Sequence, residues 1–145
     1  MEEHNVGWRV RAIRGATTAT ENSIPAIREA VLELLSEIER RNALDFSEVI
    51  SVTFSVTRDL DQIFPAAIAR ECPHWRNIPL LDVQQMHVEG GLPYCIRCLI
   101  YFNTPNPDQP IYHAYLRHAQ NLRPDLVVNG GYHPLELSSH SVGSL

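Results

Sequence analysis

Arg97 is the residue whose type and position most clearly indicate chemistry. It lies within residues 92–102, an apolar stretch that follows a Gly90-Gly91 turn and is typical of a buried strand. Alternation places uncharged side chains on one face of this strand and Arg97 on the other. Because a guanidinium is rarely buried without an anion, Arg97 either pairs with a carboxylate of this chain or lines a pocket that receives an anion from outside.

Arg14 is a second candidate for binding an anion. It ends a predicted first strand that begins at Trp8, and it precedes a glycine-containing segment, residues 15–18, that is typical of a loop. A residue at a strand end beside such a loop is well placed to meet a ligand, although a solvated strand terminus would look the same in sequence.

Hydrophobic periodicity predicts the elements that must position these arginines. Ser23 is the expected N-cap of an amphipathic helix of about five turns. Residues 50–57 alternate strictly and predict a strand, a short helix starts at Pro65, and residues 78–83 form a short strand. A last helix is expected from Pro110 to Asn121. The apolar residues of the 50–57 strand are expected in the core: Ile50, Val52, Phe54 and Val56.

This order predicts an α/β chain of one domain, with helices on one face of a mixed sheet. The domain is expected over residues 8–127, with an N-terminal extension at 1–7 and a mobile tail at 128–145. Its hydrophobic content of 44% and charged content of 20% are those of an ordinary soluble protein. No apolar run is long enough for a membrane span, and the acidic N-terminus lacks the apolar core of a secretory signal, so a cytoplasmic location is expected.

Composition also excludes several functions. The net charge of −5 argues against a nucleic-acid partner. All 12 basic residues are arginine, so no lysine is present to form a Schiff base or anchor pyridoxal phosphate. Cys95 and Cys98 match a CxxC pattern, but residues three apart on a strand point to opposite faces, which argues against a metal or redox site.

Several separate motifs resemble one family in both order and spacing. They are Arg14-Gly15-Ala16-Thr17-Thr18, Phe64-Pro65-Ala66, Arg70, Gly90-Gly91-Leu92, Cys95-Ile96-Arg97, Tyr115-Leu116 and Leu122-Arg123-Pro124-Asp125-Leu126. Over roughly residues 8–127, the chain is similar to the monofunctional trimeric α/β-class chorismate mutases. The resemblance implies an isomerase that rearranges chorismate to prephenate without a cofactor. It also implies a homotrimer that forms a pseudo-α/β-barrel, with active sites between subunits.

The resemblance implies a role for each matching residue. Arg97 is similar to the arginine at the ether oxygen of the substrate, and Arg14 and Tyr115 to the pair that holds its side-chain carboxylate. The remaining matches are substrate-binding residues of the pocket wall, the site mouth and the C-terminal segment: Phe64, Ala66, Arg70, Leu122 and Arg123.

Three positions depart from the family pattern. Many members have a glutamate at Gln85, which bonds the ring hydroxyl of the substrate and pairs with the key arginine. Many have a cysteine at Asp82 and a lysine at Ala67. One carboxylate is thus lost and another gained in a short segment, and we hypothesise that Asp82 replaces the glutamate as hydroxyl partner and ring-side anion.

Two other classes remain open from sequence. The first is an enamine or imine deaminase on a similar trimeric scaffold, which would use an arginine for a substrate carboxylate but would not need Arg14, Tyr115 and Arg97 together. The second is a non-catalytic trimer that binds a metabolite, which only the change at Gln85 suggests. Loss of chorismate absorbance on adding the protein distinguishes the mutase from both.

Overall fold

The computed structural model describes residues 7–126. The predicted tail at 128–145, and the extension at 1–7 except Gly7, lie outside the described residues. Five strands are described: β1 (Arg9–Thr18), β2 (Val49–Val56), β3 (Leu80–Gln84), β4 (Cys95–Thr104) and β5 (Ala114–Tyr115). Two α-helices accompany them, α1 (Ile24–Arg41) and α2 (Pro65–Ala69), with short 3-10 helices at Phe46–Glu48, Arg117–Asn121 and Pro124–Leu126.

The strands form one mixed sheet in the order β3-β2-β4-β1-β5. Strand β4 is central and antiparallel to both neighbours, whereas β3 runs parallel to β2 and β5 runs parallel to β1. This arrangement confirms the predicted α/β class with a mixed sheet. The strand that carries Arg97 is therefore held by hydrogen bonds on both sides.

Helix α1 covers one face of the sheet. Its cap is the predicted one, because Ser23 Oγ accepts a hydrogen bond from the Ala26 N–H at 3.2 Å. The apolar side chains of α1 that recur at helical spacing are all buried: Ile27, Val31, Leu34, Leu35 and Ile38. No helix among residues 7–126 is long and apolar enough to cross a membrane.

Gly15 lies on β1 where α1 packs against the sheet. A Cβ atom at this position would be 2.8 Å from Cys98 Sγ and 3.1 Å from Ile38 Cδ1. The expected loop at residues 15–18 is wrong, because β1 continues to Thr18 and pairs with β4 along this whole segment. The glycine allows α1 to pack closely on β1 and does not mark a turn.

Three other local predictions need correction. Ile50 was expected in the core but is 41% exposed, because the register between β2 and β4 shifts between Val49 and Ser51. The 92–102 strand begins only at Cys95, since Tyr94 adopts a φ of 53°. The helix expected from residue 110 to 121 is replaced by the two-residue strand β5 and a 3-10 helix.

Trp75 is the largest fully buried side chain and follows α2. Its indole Nε1 donates a hydrogen bond to Glu39 Oε1 at 2.8 Å, and its ring meets that of Phe46 edge-on at 5.0 Å. This residue joins the end of the α2 segment to α1 and to the loop before β2.

Candidate active site

Arg97 points to the face of the sheet opposite α1. It is paired with Ala16 of β1 and Ser55 of β2, whereas its neighbour Cys98 lies against Gly15 beneath α1. Among the described residues, no carboxylate lies within 4.0 Å of its guanidinium, and its buried Nε has no hydrogen-bond partner. Of the two alternatives left by the sequence, the internal ion pair is absent from this part of the chain.

The start of β4 is held in place by two side chains that follow β2. Thr57 Oγ1 accepts a hydrogen bond from the Cys95 N–H at 2.9 Å, and Asp59 Oδ2 accepts one from the Tyr94 N–H at 3.0 Å. Because Arg97 is only two residues further along, these bonds set the position of its backbone.

Arg14 and Tyr115 lie on the same face as Arg97. Alternation along β1 puts Arg14 on the side of Ala16, and Ala16 pairs with Tyr115 of β5. Tyr115 is only 6% exposed, and burial raises the pKa of its phenol. The guanidinium groups of Arg14, Arg123 and Arg97 act on this pKa in the opposite direction. The phenol is therefore protonated at neutral pH, and three cations are near enough to act on its pKa.

The C-terminal segment closes one end of this face. Leu122 packs on the small apolar cluster formed by Ala16, Tyr115 and Ala119. Arg123 donates two hydrogen bonds to the carboxylate of Asp125, at 3.0 and 2.8 Å. These bonds raise the pKa of the guanidinium and lower that of the carboxyl. Its charge is thus partly satisfied within the chain.

Gln85 directly follows β3. Its backbone N–H donates to the Val56 carbonyl at 2.8 Å, and its side-chain Oε1 is buried with no hydrogen-bond partner among the described residues. Val83 pairs with Ser55, which pairs with Arg97, so alternation places Gln85 on the Arg97 face as well. We define Arg14, Gln85, Arg97, Tyr115, Leu122 and Arg123 as the arginine half-site.

A second group of predicted residues lies elsewhere, along α2 and its two caps and on β3, and two of the group line a cleft of about 450 Å³. Phe64 lines it and is 69% exposed. Asp82 also lines it, and its Oδ1 accepts a hydrogen bond from the Ala66 N–H at 3.0 Å. Burial raises the pKa of Asp82, while this bond and the charge of Arg70 act to lower it. We define Phe64, Ala66, Arg70 and Asp82 as the cleft half-site.

Two expectations change at the cleft half-site. Asp82 pairs with Phe54, which pairs with Cys98, so it lies on the α1 face and not on that of Arg97. Within one chain, it therefore does not replace the family glutamate as an anion beside Arg97. Ala66 is 2% exposed and packs in the core, so its methyl group is not part of an open pocket wall.

Comparison with known proteins identifies the family to which this arrangement belongs. The family model described as Chorismate mutase type I matches residues 10–126. The chain belongs to the type I chorismate mutase family. The match confirms the resemblance seen in the sequence, the isomerase class and the place of the enzyme in aromatic amino acid biosynthesis.

Relatives of this type I chorismate mutase are similar over most of their length. The chain is 43% identical to Chorismate mutase AroH of Thermus thermophilus, over 81% of this chain and 96% of the relative. It is 38% identical to Chorismate mutase AroH of Bacillus subtilis, over 81% and 92%. A solved chorismate mutase from Clostridium thermocellum superposes with a TM-score of 0.70 at 37% identity, covering 77% of this chain and 99% of the other.

His113 is a residue of this chorismate mutase that the sequence analysis left out. Its Nδ1 accepts a hydrogen bond from the Arg14 backbone N–H at 2.9 Å. Its position two residues before Tyr115 is the only signal in the sequence that could have singled it out.

The cysteines of the CxxC pattern lie on opposite faces of β4, as alternation requires. Cys98 is buried under α1, which raises the pKa of its thiol to about 12. Cys95 lies on the Arg97 face, where burial raises its pKa despite the nearby guanidinium. Both thiols are therefore protonated at neutral pH, so neither is a ready thiolate nucleophile.

Proposed function

We propose that this type I chorismate mutase converts chorismate to prephenate by binding one compact conformer and stabilising charge on the breaking ether bond. The observation that carries the mechanism is the buried Nε of Arg97, which has no hydrogen-bond partner among residues 7–126 and lies on a face that also bears Arg14 and Tyr115. In this proposal, the reaction needs no nucleophile, no acid–base pair and no cofactor, and it takes place in the cytoplasm, as the sequence predicts.

Arg97 suits this role because its backbone is held in the central strand by pairing on both sides and its Nε is buried. As the ether bond breaks, negative charge grows on its oxygen. A guanidinium already oriented in a site of low dielectric stabilises that charge more in the transition state than in the ground state. Among residues 7–126, no carboxylate lies within 4.0 Å of this guanidinium, so its charge is available to the substrate.

The other residues of the arginine half-site position the substrate. Arg14 is exposed and makes no ion pair with the described residues, and the protonated phenol of Tyr115 can donate a hydrogen bond. Together they can bind one carboxylate of the substrate. The unpartnered Gln85 Oε1 can accept a hydrogen bond from the ring hydroxyl. Holding the reacting carbons close in this way is a proximity effect.

We further propose that the enzyme is a homotrimer whose active sites lie between subunits. In one chain, the arginine half-site and Asp82 of the cleft half-site are on opposite faces of the sheet. The face without α1 also carries exposed apolar side chains, which a subunit contact would cover: Val10, Leu81, Val83 and Tyr101. A site that combines the arginine half-site of one subunit with the cleft half-site of the next unites all the predicted residues.

Complementation between two inactive variants tests this arrangement. Arg97→Ala damages the arginine half-site, and Arg70→Glu introduces a charge at the cleft half-site that repels a dicarboxylate. The two variants are co-expressed with different tags, and trimers carrying both tags are purified. In a cyclic trimer of mixed composition, about one site in three then combines two intact half-sites. We expect kcat to recover to about a third of that of the native trimer.

The matched control pairs two variants of the same half-site. Co-expressed Arg97→Ala and Arg14→Ala subunits leave every arginine half-site defective, so no recovery is expected. Equal recovery in both pairs, or none in either, contradicts the intersubunit site. A monomeric mass in solution contradicts the trimer directly.

Asp82 tests the role of the carboxylate in the cleft half-site. Asp82→Asn keeps an oxygen that can accept the Ala66 N–H bond but removes the charge. Because a hydrogen bond to a charged group contributes about 1.5–3 kcal/mol, we expect kcat/KM to fall about 10- to 100-fold with little change in stability. Steady-state kinetics and thermal unfolding are the measurements. An undiminished kcat/KM removes Asp82 as hydroxyl partner.

A further inference from the structure

Strand β5 carries Tyr115 but is held by very few hydrogen bonds. It comprises two residues and pairs in parallel with β1, with Ala114 opposite Gly15. At its C-terminal end, the Leu116 N–H donates to the Ala16 carbonyl at 2.9 Å. At its N-terminal end, the Arg14 N–H donates to Nδ1 of His113 at 2.9 Å, so an imidazole takes the position that a backbone carbonyl would occupy in a longer strand.

This bond depends on the protonation state of His113. A ring nitrogen that accepts an N–H must carry a lone pair, so the imidazole is neutral and its proton is assigned to Nε2. Protonation would place an N–H at Nδ1 against the N–H of Arg14. The hydrogen bond would then be lost and replaced by repulsion between two donors.

Burial and the nearby cations oppose the protonation of His113. Burial lowers its pKa below 6.5, and so do three guanidinium groups: Arg14 and Arg11 on β1 and Arg123 in the C-terminal segment. Asp125 is the carboxylate of that segment, and it is bound to Arg123. On β5 itself, the phenol of Tyr115 is uncharged at neutral pH.

We propose that His113 is a positioning residue, whose neutral imidazole ties Arg14 to the β5 segment and so keeps Arg14 and Tyr115 in register for the substrate carboxylate. The inference rests on the proposed function of those two residues. It predicts that acidification releases β5 from Arg14 and weakens substrate binding before it affects the chemistry at Arg97.

The direction of the pH effect follows from the lowered pKa. The unfolded chain binds a proton at His113 near pH 6.5, whereas the folded chain does so only at lower pH. The contribution of the neutral imidazole to stability is therefore complete above the unfolded pKa and is lost as the pH falls through the folded pKa. The pairing of β5 with β1 should be lost over the same pH interval.

Two variants separate this role from a general effect on folding. His113→Asn supplies an amide oxygen near the position of Nδ1 that cannot titrate, and His113→Ala supplies no acceptor. His74→Asn is the matched control, because His74 is 63% exposed in its side chain and pairs with Glu39, outside both half-sites. Asp82 is common to all of these proteins, so its own titration cancels in the comparison.

The experiment measures kcat and KM of the full chain from about pH 5 to pH 8, together with amide exchange at Arg14 without substrate. At pH 8, we expect His113→Asn to keep kcat/KM within about threefold of the native value. On acidification, kcat/KM should fall much less in His113→Asn than in the native protein, whereas His74→Asn should show the native fall. His113→Ala should raise KM about tenfold, with a smaller fall in kcat, and should speed exchange at Arg14.

The proposal is wrong if kcat/KM of His113→Asn falls at acid pH as much as that of the native protein. It is also wrong if amide exchange at Arg14 is unchanged in His113→Ala. Should His113→Ala fail to fold, the protection of the Arg14 amide, taken relative to its intrinsic exchange rate at each pH, must fall more on acidification in the native protein than in His113→Asn; if it does not, the proposal is wrong. The exchange measurement needs no turnover, so it is independent of the proposed function. A native protein that does not consume chorismate refutes the proposed function alone.

Discussion

Replacing Arg97 with alanine should lower kcat/KM about 100- to 1000-fold or more, because the loss of a preorganised donor to a developing oxyanion costs roughly 3–4 kcal/mol. The loss should appear mainly in kcat, since the interaction with the ether oxygen strengthens in the transition state. The fold should be retained, because no hydrogen bond of the Arg97 Nε within the described residues is broken. Consumption of chorismate, followed by absorbance, is the measurement.

Arg40→Ala is the matched control for this change. Arg40 is on α1, is 63% exposed in its side chain and pairs with Glu37, so its removal should leave kcat/KM unchanged. The size of the assembled protein and its thermal unfolding establish that both variants are folded. An Arg97→Ala protein that is folded and assembled with near-native turnover would contradict the assignment of Arg97.

Trp75→Ala should give the largest loss of stability, about 3–5 kcal/mol in the free energy of unfolding. The substitution opens a cavity at a fully buried position and removes the edge-on contact with Phe46. It also deprives Glu39 of the indole N–H that it accepts at 2.8 Å. Urea unfolding at one fixed protein concentration measures the change, because unfolding of an oligomer depends on concentration.

Two further variants identify the origin of this loss. Trp75→Phe keeps most of the ring but removes the N–H donor, so it should cost less, about 1–3 kcal/mol. Trp8 is 41% exposed, and Trp8→Ala should therefore cost clearly less stability than Trp75→Ala. Equal effects at the two tryptophans would show that burial of Trp75 does not stabilise the α2 segment.

The parts of the fold that the sequence predicted correctly are those with an unbroken period. Helix α1 has apolar residues at helical spacing and a serine cap, and each is where the period places it. Along β4, the alternation from Ile96 to Phe102 separates the core face from the face of Arg97. In both elements, one buried face determines the secondary structure by itself.

The errors arose where long-range contacts override local preference. Gly15 suggests a loop locally, but it lies within a strand because α1 and Cys98 leave no room for a side chain. Ile50 belongs to the alternating pattern, yet a register shift against β4 turns it outward. The segment from residue 110 to 121 has apolar spacing compatible with a helix, but Ala114 and Tyr115 instead form a short strand beside β1. The local sequence does not indicate which distant residues a segment will pair with.

The sequence alone named the residues proposed for the site but not their arrangement. The family resemblance supplied the residues of both half-sites, and the matching relatives confirm the family. That Asp82 and Arg97 lie on opposite faces follows only from the register of β2 against β3 and β4. His113 carried no motif, and its contact with Arg14 spans 99 residues of sequence.

The central place of β4 in the sheet has a consequence for how this enzyme could change its substrate. Neighbours on both sides restrain the strand that carries Arg97, so its backbone cannot shift to suit a differently shaped molecule. The outermost strands, β3 and β5, have a neighbour on one side only within the described chain and can move more freely. We therefore expect changes in substrate selectivity, whether evolved or engineered, to arise at the edge strands β3 and β5. The central strand should keep Arg97 in the same role.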